Sequence, residues 1–269
     1  MLETVDLKDF SIKSWYENFK NITLQTIILQ LSDDIVKNFE FQELSEESDD
    51  ESLTEETPFP QDFLDEVQNA FNTLGRTVFV KNNWHAPLDA RMFSIGNTLK
   101  AENISDIQLF LQTSSVIQQD LSNVKGVPFC LALRKWISIH PAAEFRCIVI
   151  NNVLRGITPR DWPVFYSHFK EEGSRIIQNL FIFFTEFIKM KFPRTHYCFD
   201  VVLSYPDKPF LLDFGPLNSK TNLYAFTWTE ISSLLDKEIS EEIPPVFRYL
   251  DKDIGIMTKA IANMRFQEM

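Results

Sequence analysis

The sequence predicts an α+β protein built of two lobes. Apolar and polar residues alternate in pairs of short segments, which is typical of β-hairpins, and apolar residues recur at helical spacing in longer segments. The chain has 269 residues, of which 44% are hydrophobic and 25 are Phe. It can therefore bury enough apolar surface to fold as a globular protein.

Changes in composition along the chain divide it into four parts. Residues 1–42 carry aromatic and alternating apolar residues and are predicted to pack on the body. Residues 43–58 are rich in Glu, Asp and Ser, with little to bury, and are predicted to form an acidic disordered loop. We expect the first lobe over residues 59–128. The second lobe, with a metal-binding hairpin and a C-terminal tail, is expected over residues 129–269.

Helix and strand signals in the first lobe support its α+β class. Residues 61–74 place apolar side chains at helical spacing and are followed by Gly75, which favours a helix with a glycine C-cap. The segment TVFVK that ends at Lys81 predicts a strand. A second helix is predicted near residues 104–115, with Asn103 as a candidate N-cap residue.

The second lobe is predicted to contain two β-hairpins and a helix. Residues 144–158 form two alternating runs joined by Asn151 and Asn152, which tolerate positive φ in a tight turn. A second hairpin is predicted over residues 197–214, with its turn at 205–208. Between the hairpins, one helical face is predicted to carry Ile176, Ile177, Leu180, Phe184, Phe187 and Ile188.

Charge and cysteine content exclude several classes of function. The net charge is −12 and no Lys/Arg cluster occurs, so we expect a basic protein partner and no nucleic acid. Neither a secretory signal nor an apolar run long enough for a bilayer is evident, so we expect a cytoplasmic monomer without a membrane span. Cys130, Cys147 and Cys198 lack metal-site spacing and are predicted to be buried thiols.

Two aspartates in the second predicted hairpin are candidate metal ligands. If the turn is centred on residues 206–207, Asp200 and Asp213 lie nearly opposite one another. Two carboxylates that close repel unless a cation lies between them, and Mg²⁺ prefers such oxygen ligands together with phosphates. In the alternative interpretation, Asp200 is a solvated strand residue and Asp213 caps the following loop.

Basic residues on apolar strands indicate an anionic ligand. They are Lys81, Arg134, Lys135 and Arg146. Burial of such charges is costly without an anion, and a triphosphate would pair with several of them. The alternative is that each is a surface residue whose stem covers apolar area. The chain contains only 7 Gly and no Walker loop, which excludes a P-loop enzyme.

Collinear segments over nearly the whole chain resemble the cell division cycle protein 123 family. They read SWYENF, VFVKNNWHAPLDA, LALRKW, PAAEFRC, LRGITPRD, FDVVL, LLDFGP and LYAFTWTEI. The resemblance implies an ATP-grasp-like fold, with ATP in a cleft between two α+β lobes and Mg²⁺ on acidic residues of the last strands. It also implies an assembly chaperone that binds the C-terminal region of the γ subunit of translation initiation factor 2 and promotes formation of the heterotrimer.

The resemblance also implies roles for individual residues. Lys81 matches a phosphate-side lysine, and a phosphate-covering loop would comprise Trp84, His85, Ala86, Leu88 and Asp89. The adenine site would comprise Leu131, Leu133, Arg134 and Lys135, with Arg146 on the next strand. The metal site would comprise Asp200, Asp213 and Gly215. Each of these assignments follows from the family pattern alone.

Two positions depart from the family pattern. Leu88 stands where the family has a basic residue, and Gly215 stands where it has an asparagine that ligates the metal; Asn218 or water would have to replace that ligand. His85 replaces a serine and adds a possible phosphate donor. Two alternatives to the chaperone therefore stay open, namely an ATP-grasp ligase acting on an unknown carboxylate and a degenerate scaffold that binds no nucleotide.

Overall fold

A computed structural model shows two compact units. The structure describes residues 7–40, 59–94, 96–123, 127–204, 208–235 and 243–255. The four-stranded unit comprises Ser11–Lys13 and Gln25–Ile137, and the five-stranded unit comprises Met1–Phe10, Ser14–Leu24 and Ser138–Met269. Each unit combines helices with one sheet, so the predicted α+β class is confirmed. The predicted acidic loop, 43–58, lies outside the described residues.

The sheet of the four-stranded unit is antiparallel, with strand order β1-β4-β2-β3. Its strands are β1 (Thr26–Gln30), β2 (Val78–Lys81), β3 (Lys100–Ala101) and β4 (Cys130–Lys135). Strand β4 was expected to open the second lobe at residue 129. It instead pairs with both β1 and β2, because its apolar side chains complete the core of this sheet, and the unit extends to Ile137.

Helices precede, cross and follow these strands. They are α1 (Ile12–Phe19), α2 (Asp33–Lys37), α3 (Gln61–Leu74), α4 (Ile104–Thr113) and α5 (Ser115–Asn123). The predicted glycine cap of α3 is confirmed, since Gly75 has φ 102° and its N–H donates to the Phe71 carbonyl. The predicted N-cap of α4 is confirmed too, because the Asn103 side chain accepts from the Asp106 N–H.

The sheet of the five-stranded unit has the order β8-β7-β5-β6-β9. Its strands are β5 (Glu144–Ile150), β6 (Val153–Pro159), β7 (Tyr197–Ser204), β8 (Lys208–Pro216) and β9 (Val246–Phe247), and only the β6–β9 pair is parallel among these described strands. The first predicted hairpin is confirmed, with Asn151 and Asn152 at φ 52° and 58°. The second hairpin is also confirmed, but residues 205–207 of its turn lie outside the described residues.

Helix α6 (His168–Phe183) covers one face of this sheet and continues as a π-helical turn, Phe184–Ile188. Phe184 stacks on Phe199 of β7, with ring centroids 6.0 Å apart. The predicted burial of Phe187 is wrong, since this residue is 40% exposed. The wider π-helical turn rotates the side chains that follow it relative to an α-helix. A further helix, α7 (Trp228–Leu235), follows β8.

Two β-bulges decide which residues share a face of the five-stranded sheet. In the β7–β8 pair the register shifts between Asp200 and Val201, leaving Leu212 as the extra residue. In the β5–β6 pair the register shifts between Ile148 and Val149, leaving Arg155 as the extra residue. Each extra residue reverses the inward and outward alternation beyond it.

The cysteines and the helices agree with the expected classes. The three cysteines lie in β4, β5 and β7, are buried and form no disulfide, so the prediction of buried thiols is confirmed. Burial raises the pKa of Cys130 to about 11 and that of Cys198 to about 12. Within the described parts of the chain, every helix is too short or too polar to cross a bilayer.

Close packing at Gly156 generates the first prediction. A Cβ added there would lie 2.8 Å from Cζ of Phe226, so Gly156→Ala is expected to lower the free energy of unfolding by about 1–3 kcal/mol. At Gly215 no heavy atom lies within 4 Å of an added Cβ, so the matched Gly215→Ala change should stay within about 0.5 kcal/mol. Urea unfolding of both variants measures this difference, and equal losses would contradict the packing described here.

Candidate functional site in the five-stranded unit

The two candidate metal ligands lie opposite one another. Asp200 of β7 pairs directly with Asp213 of β8, and Asp200 pairs on its other side with Arg146 of β5. Directly paired residues of antiparallel strands project to the same face, so Arg146, Asp200 and Asp213 form one row across the sheet. The predicted opposition of the two aspartates is confirmed. Because β8 continues to Pro216, Asp213 lies within the strand rather than at its end.

Arg146 binds Asp200 through two parallel hydrogen bonds. Its Nε donates to Oδ1 and its Nη2 donates to Oδ2, both at 2.8 Å. The two side chains are only 15% and 9% exposed, so Asp200 is not the solvated strand residue of the alternative interpretation. Burial by itself lowers the pKa of Arg146, but the Asp200 carboxylate raises it above its ordinary value. The pair is therefore fully charged.

A second arginine and a second carboxylate, which the sequence did not single out, join this pair. Arg160 Nε lies 3.5 Å from Asp200 Oδ2, and Arg160 Nη1 donates to Glu144 Oε2 at 3.1 Å. Burial raises the pKa of Glu144, and Arg160 only partly offsets this effect. A hairpin read without its bulge pairs Glu144 with Pro159 instead of Arg160. The sequence signal was therefore present but led to the wrong register.

The segment 222–226, which we call the strap, lies against the same arginines. Arg146 Nη1 donates to the Asn222 carbonyl at 2.8 Å, and the ring of Tyr224 covers the Arg146 guanidinium at 5.1 Å. Arg160 Nε donates to the Tyr224 hydroxyl at 3.3 Å. Tyr224 has φ 52°, an uncommon conformation for a bulky residue. The strap thus fixes the position of the Arg146 guanidinium.

Phe226 and Arg248 hold the other end of the strap. The Phe226 ring packs on Gly156, as described above, and lies 4.7 Å from the Arg248 guanidinium. Arg248 also forms a two-point ion pair with Glu230 of α7. This ion pair lowers the pKa of Glu230 to about 2, although burial acts in the opposite direction. The strap is therefore held by charged contacts at both ends.

The donor set of this face fits a Mg²⁺ ion that is shared with phosphates. Among the described residues, no third His, Cys, Asp or Glu joins Asp200 and Asp213 to make an all-protein metal cage. Mg²⁺ is commonly held by one or two carboxylates together with waters and phosphate oxygens, so two are sufficient. An ionised carboxylate also accepts more than one hydrogen bond or cation per oxygen. Asp200 can therefore contact both Arg146 and a metal.

Gly215 adds space rather than a ligand side chain. It pairs with Cys198 in the row next to the two aspartates, and the region where its Cβ would lie is open. Asn218, the candidate replacement ligand, accepts from Lys220 N–H at 2.9 Å and Thr221 Oγ1 at 3.3 Å. Asn218 thus stabilises its own turn. Water or phosphate oxygen is the better replacement for the ligand that the family has at Gly215.

In the four-stranded unit, Lys81 and Arg134 lie on one face of the sheet. Lys81 pairs with Ala132, and alternation along β4 then places Arg134 on the same side as Ala132. Lys81 is 1% exposed and Arg134 is 3% exposed, so neither is the predicted alternative of a surface residue. Arg134 Nε donates to Thr26 Oγ1 at 3.3 Å. Lys135, in contrast, is exposed.

Leu131 and Leu133 project to the opposite face of the same sheet. Both are fully buried in the apolar core that contains Val80 and Phe71. Residues one position apart in a strand point to opposite faces, so these two side chains point away from Lys81 and Arg134. Their side chains are therefore unavailable as adenine walls on the face that carries the basic residues.

The predicted phosphate-covering loop has a tightly bonded beginning. Asn82 Oδ1 accepts from the backbone N–H groups of Trp84 and His85, at 2.8 and 2.7 Å. Asp120 of α5, which the sequence did not single out, binds His85 Nδ1 and Asn82 Nδ2, each at 2.7 Å. The His85 side chain is 53% exposed and Trp84 is buried. Ala86, next in the loop, is half-buried.

Asp89 and Leu88 differ in what they contact. Asp89 Oδ2 accepts from the N–H and the hydroxyl of Ser115, both at 2.7 Å, and so caps the start of α5. Burial raises the pKa of Asp89, but these bonds and one from Ser114 lower it below its ordinary value. Leu88 is 55% exposed. The capping contacts give Asp89 a structural role whether or not it also contacts a ligand.

Comparison with known proteins identifies the family. A model of the D123 family matches residues 36–269, which is most of the chain. The chain belongs to the D123 family. This result confirms the resemblance to the cell division cycle protein 123 family that the sequence motifs predicted.

Relatives of this D123 chain align over most of its length. One from Xenopus tropicalis, called translation initiation factor eIF2 assembly protein, is 28% identical over 93% of this chain and 86% of its own length. Cell division cycle protein 123 from Yarrowia lipolytica is 30% identical over 97% of this chain and 74% of its own length. The family assignment therefore covers both units.

The fold of this D123 chain is that of a solved family member. The structure of Cdc123 from Schizosaccharomyces pombe has a TM-score of 0.78 and 23% identity, covering 94% of this chain and 99% of that chain. D-alanyl-alanine synthetase A from Vibrio cholerae has a TM-score of only 0.44 and 13% identity, over 85% of this chain and 63% of that one. The likeness to the Schizosaccharomyces pombe protein establishes the shared fold.

Removal of the Asp200 charge is the second prediction. Asp200→Asn leaves Arg146 and Arg160 buried with less counter-charge, so the free energy of unfolding should fall by about 3 kcal/mol or more. The matched change Glu17→Gln removes a carboxylate from an exposed pair with Lys20, whose side chains are 73% and 54% exposed. It should cost less than about 1 kcal/mol in urea unfolding. Similar losses for both variants would contradict a structural role for the buried pair.

Proposed function

We propose that this D123 chain assists assembly of eIF2 by binding the C-terminal region of its γ subunit, and that it binds Mg²⁺-ATP. The observation that carries the assembly role is the match, over nearly the whole chain, to relatives called eIF2 assembly proteins. The motif resemblance described above supports the γ subunit as the direct partner. The net charge of −12 supports a partner with a basic face.

The buried charges of both units support the nucleotide. Asp200 and Asp213 would hold Mg²⁺, which on binding supplies positive charge for the phosphates. Lys81, Arg134 and Arg146 would contact phosphate oxygens, because a buried cation gains most from an anionic partner. These residues bind and orient the nucleotide, and we assign none of them a catalytic step. The departures at Leu88 and Gly215 should weaken binding without abolishing it.

Nucleotide binding is tested by thermal unfolding of the full chain. Mg²⁺-ATP at about 100 times its Kd should stabilise the wild-type chain by about 2.7 kcal/mol, and Asp213→Ala should lose most of this gain. Asp34→Ala is the matched control, because Asp34 is 91% exposed in a surface pair with Lys37. An equal response of wild type and Asp213→Ala, or no response of either, would favour the scaffold that binds no nucleotide.

Partner binding is tested separately by retention on the immobilised C-terminal domain of the γ subunit. The full-length chain should be retained, and an immobilised domain of similar size and net charge from another protein should not retain it. Because basic and acidic surfaces attract one another at long range, retention should be measured at physiological salt and again at higher salt. Failure of a well-folded chain to bind the γ domain at physiological salt would rule out the proposed partner.

A further inference from the structure

The Arg146 guanidinium already occupies the position on Asp200 that a cation would seek. Its two parallel bonds use both carboxylate oxygens, and its remaining Nη1 is bonded to the strap carbonyl of Asn222. The Tyr224 ring covers the guanidinium. Arg146 is therefore held on Asp200 from several directions, and it is not a side chain that drifts away without loss of bonds.

The charges around Asp200 are nearly balanced before any ligand binds. Three carboxylates, from Glu144, Asp200 and Asp213, stand against two guanidinium groups, from Arg146 and Arg160, which leaves −1. A divalent cation alone would turn this balance to +1 next to a buried arginine. A divalent cation that arrives with a phosphate chain adds no net positive charge. The phosphates also offer Arg146 a second anionic partner.

We propose that Arg146 makes divalent-cation binding at Asp200 and Asp213 depend on a bound polyphosphate. Arg146 competes with a free cation for the Asp200 oxygens, and it is relieved of this competition when phosphate oxygens share its donors. Arg146 thereby determines specificity, because it admits a metal–nucleotide complex and rejects the metal alone. This inference rests on the proposed binding of Mg²⁺-ATP.

Binding of Mn²⁺ to the full-length chain tests the inference without any reaction being measured. The electron paramagnetic resonance signal of free Mn²⁺ disappears on binding, so it reports the bound fraction directly. Wild type is expected to bind Mn²⁺ at this site in the presence of ATP but at least about tenfold more weakly in its absence. Equal affinity for Mn²⁺ with and without ATP would overturn the inference while leaving the proposed nucleotide binding intact.

A gain of binding is expected when Arg146 is replaced. Arg146→Met removes the competing cation and should tighten binding of Mn²⁺ alone by about tenfold or more. Arg248→Met is the matched control, since Arg248 forms a two-point ion pair with Glu230 outside the row of Arg146, Asp200 and Asp213. It should leave Mn²⁺ affinity unchanged. No gain in a folded Arg146→Met chain would overturn the inference.

Two further variants keep the test decisive. Adding Asp213→Ala to Arg146→Met should abolish the gain, which separates this site from Mn²⁺ bound elsewhere on an acidic chain. If Arg146→Met does not fold, Arg146→Lys keeps the charge but presents a point charge instead of a two-point fork, and it should bind Mn²⁺ alone more tightly than wild type. Unchanged Mn²⁺ affinity in folded Arg146→Lys would then contradict the competition. Absence of ATP binding in wild type would instead overturn the proposed nucleotide function.

Discussion

The charged row of Arg146, Asp200 and Asp213 is the constraint on which the five-stranded unit depends. Three strands must pair in one register for these side chains to meet on one face. Because Arg146 and Asp200 are nearly buried, each requires the other as a counter-charge. The strap, Arg160 and Glu144 then find their positions around this pair. A functional arrangement and a structural requirement thus coincide in the same residues.

The β7–β8 bulge shows how a small backbone irregularity builds this row. Near the turn, Val201 pairs with Leu211, and without the bulge Asp213 would pair with Phe199 on the opposite face. The extra residue Leu212 restores the opposition of the two aspartates. Bulges occur preferentially next to functional sites, where they redirect side chains. The bulge at Arg155 has the same effect on the neighbouring pair, since it brings Arg160 opposite Glu144 in the backbone.

The two units carry their basic residues differently. In the five-stranded unit, Arg146 and Arg160 are neutralised by carboxylates of the same sheet. In the four-stranded unit, Lys81 and Arg134 are buried on the sheet face that lies opposite the apolar core. Family membership and the shared fold are consistent with one function for the whole chain, and the charged faces supply the chemistry for an anionic ligand.

Local chemistry let the sequence determine the elements, the family and the main candidate residues. Gly75, Asn103 and the Asn151–Asn152 turn act within a few residues, so their caps and turns could be predicted. The aspartates were predicted to face one another from a two-residue turn, although the structure reaches the same pairing through a bulge. Only tertiary structure decided the contacts of Arg160 and Tyr224, the exposure of Phe187 and the burial of Leu131. Those outcomes depend on register shifts and on packing between distant segments, which a local pattern does not encode.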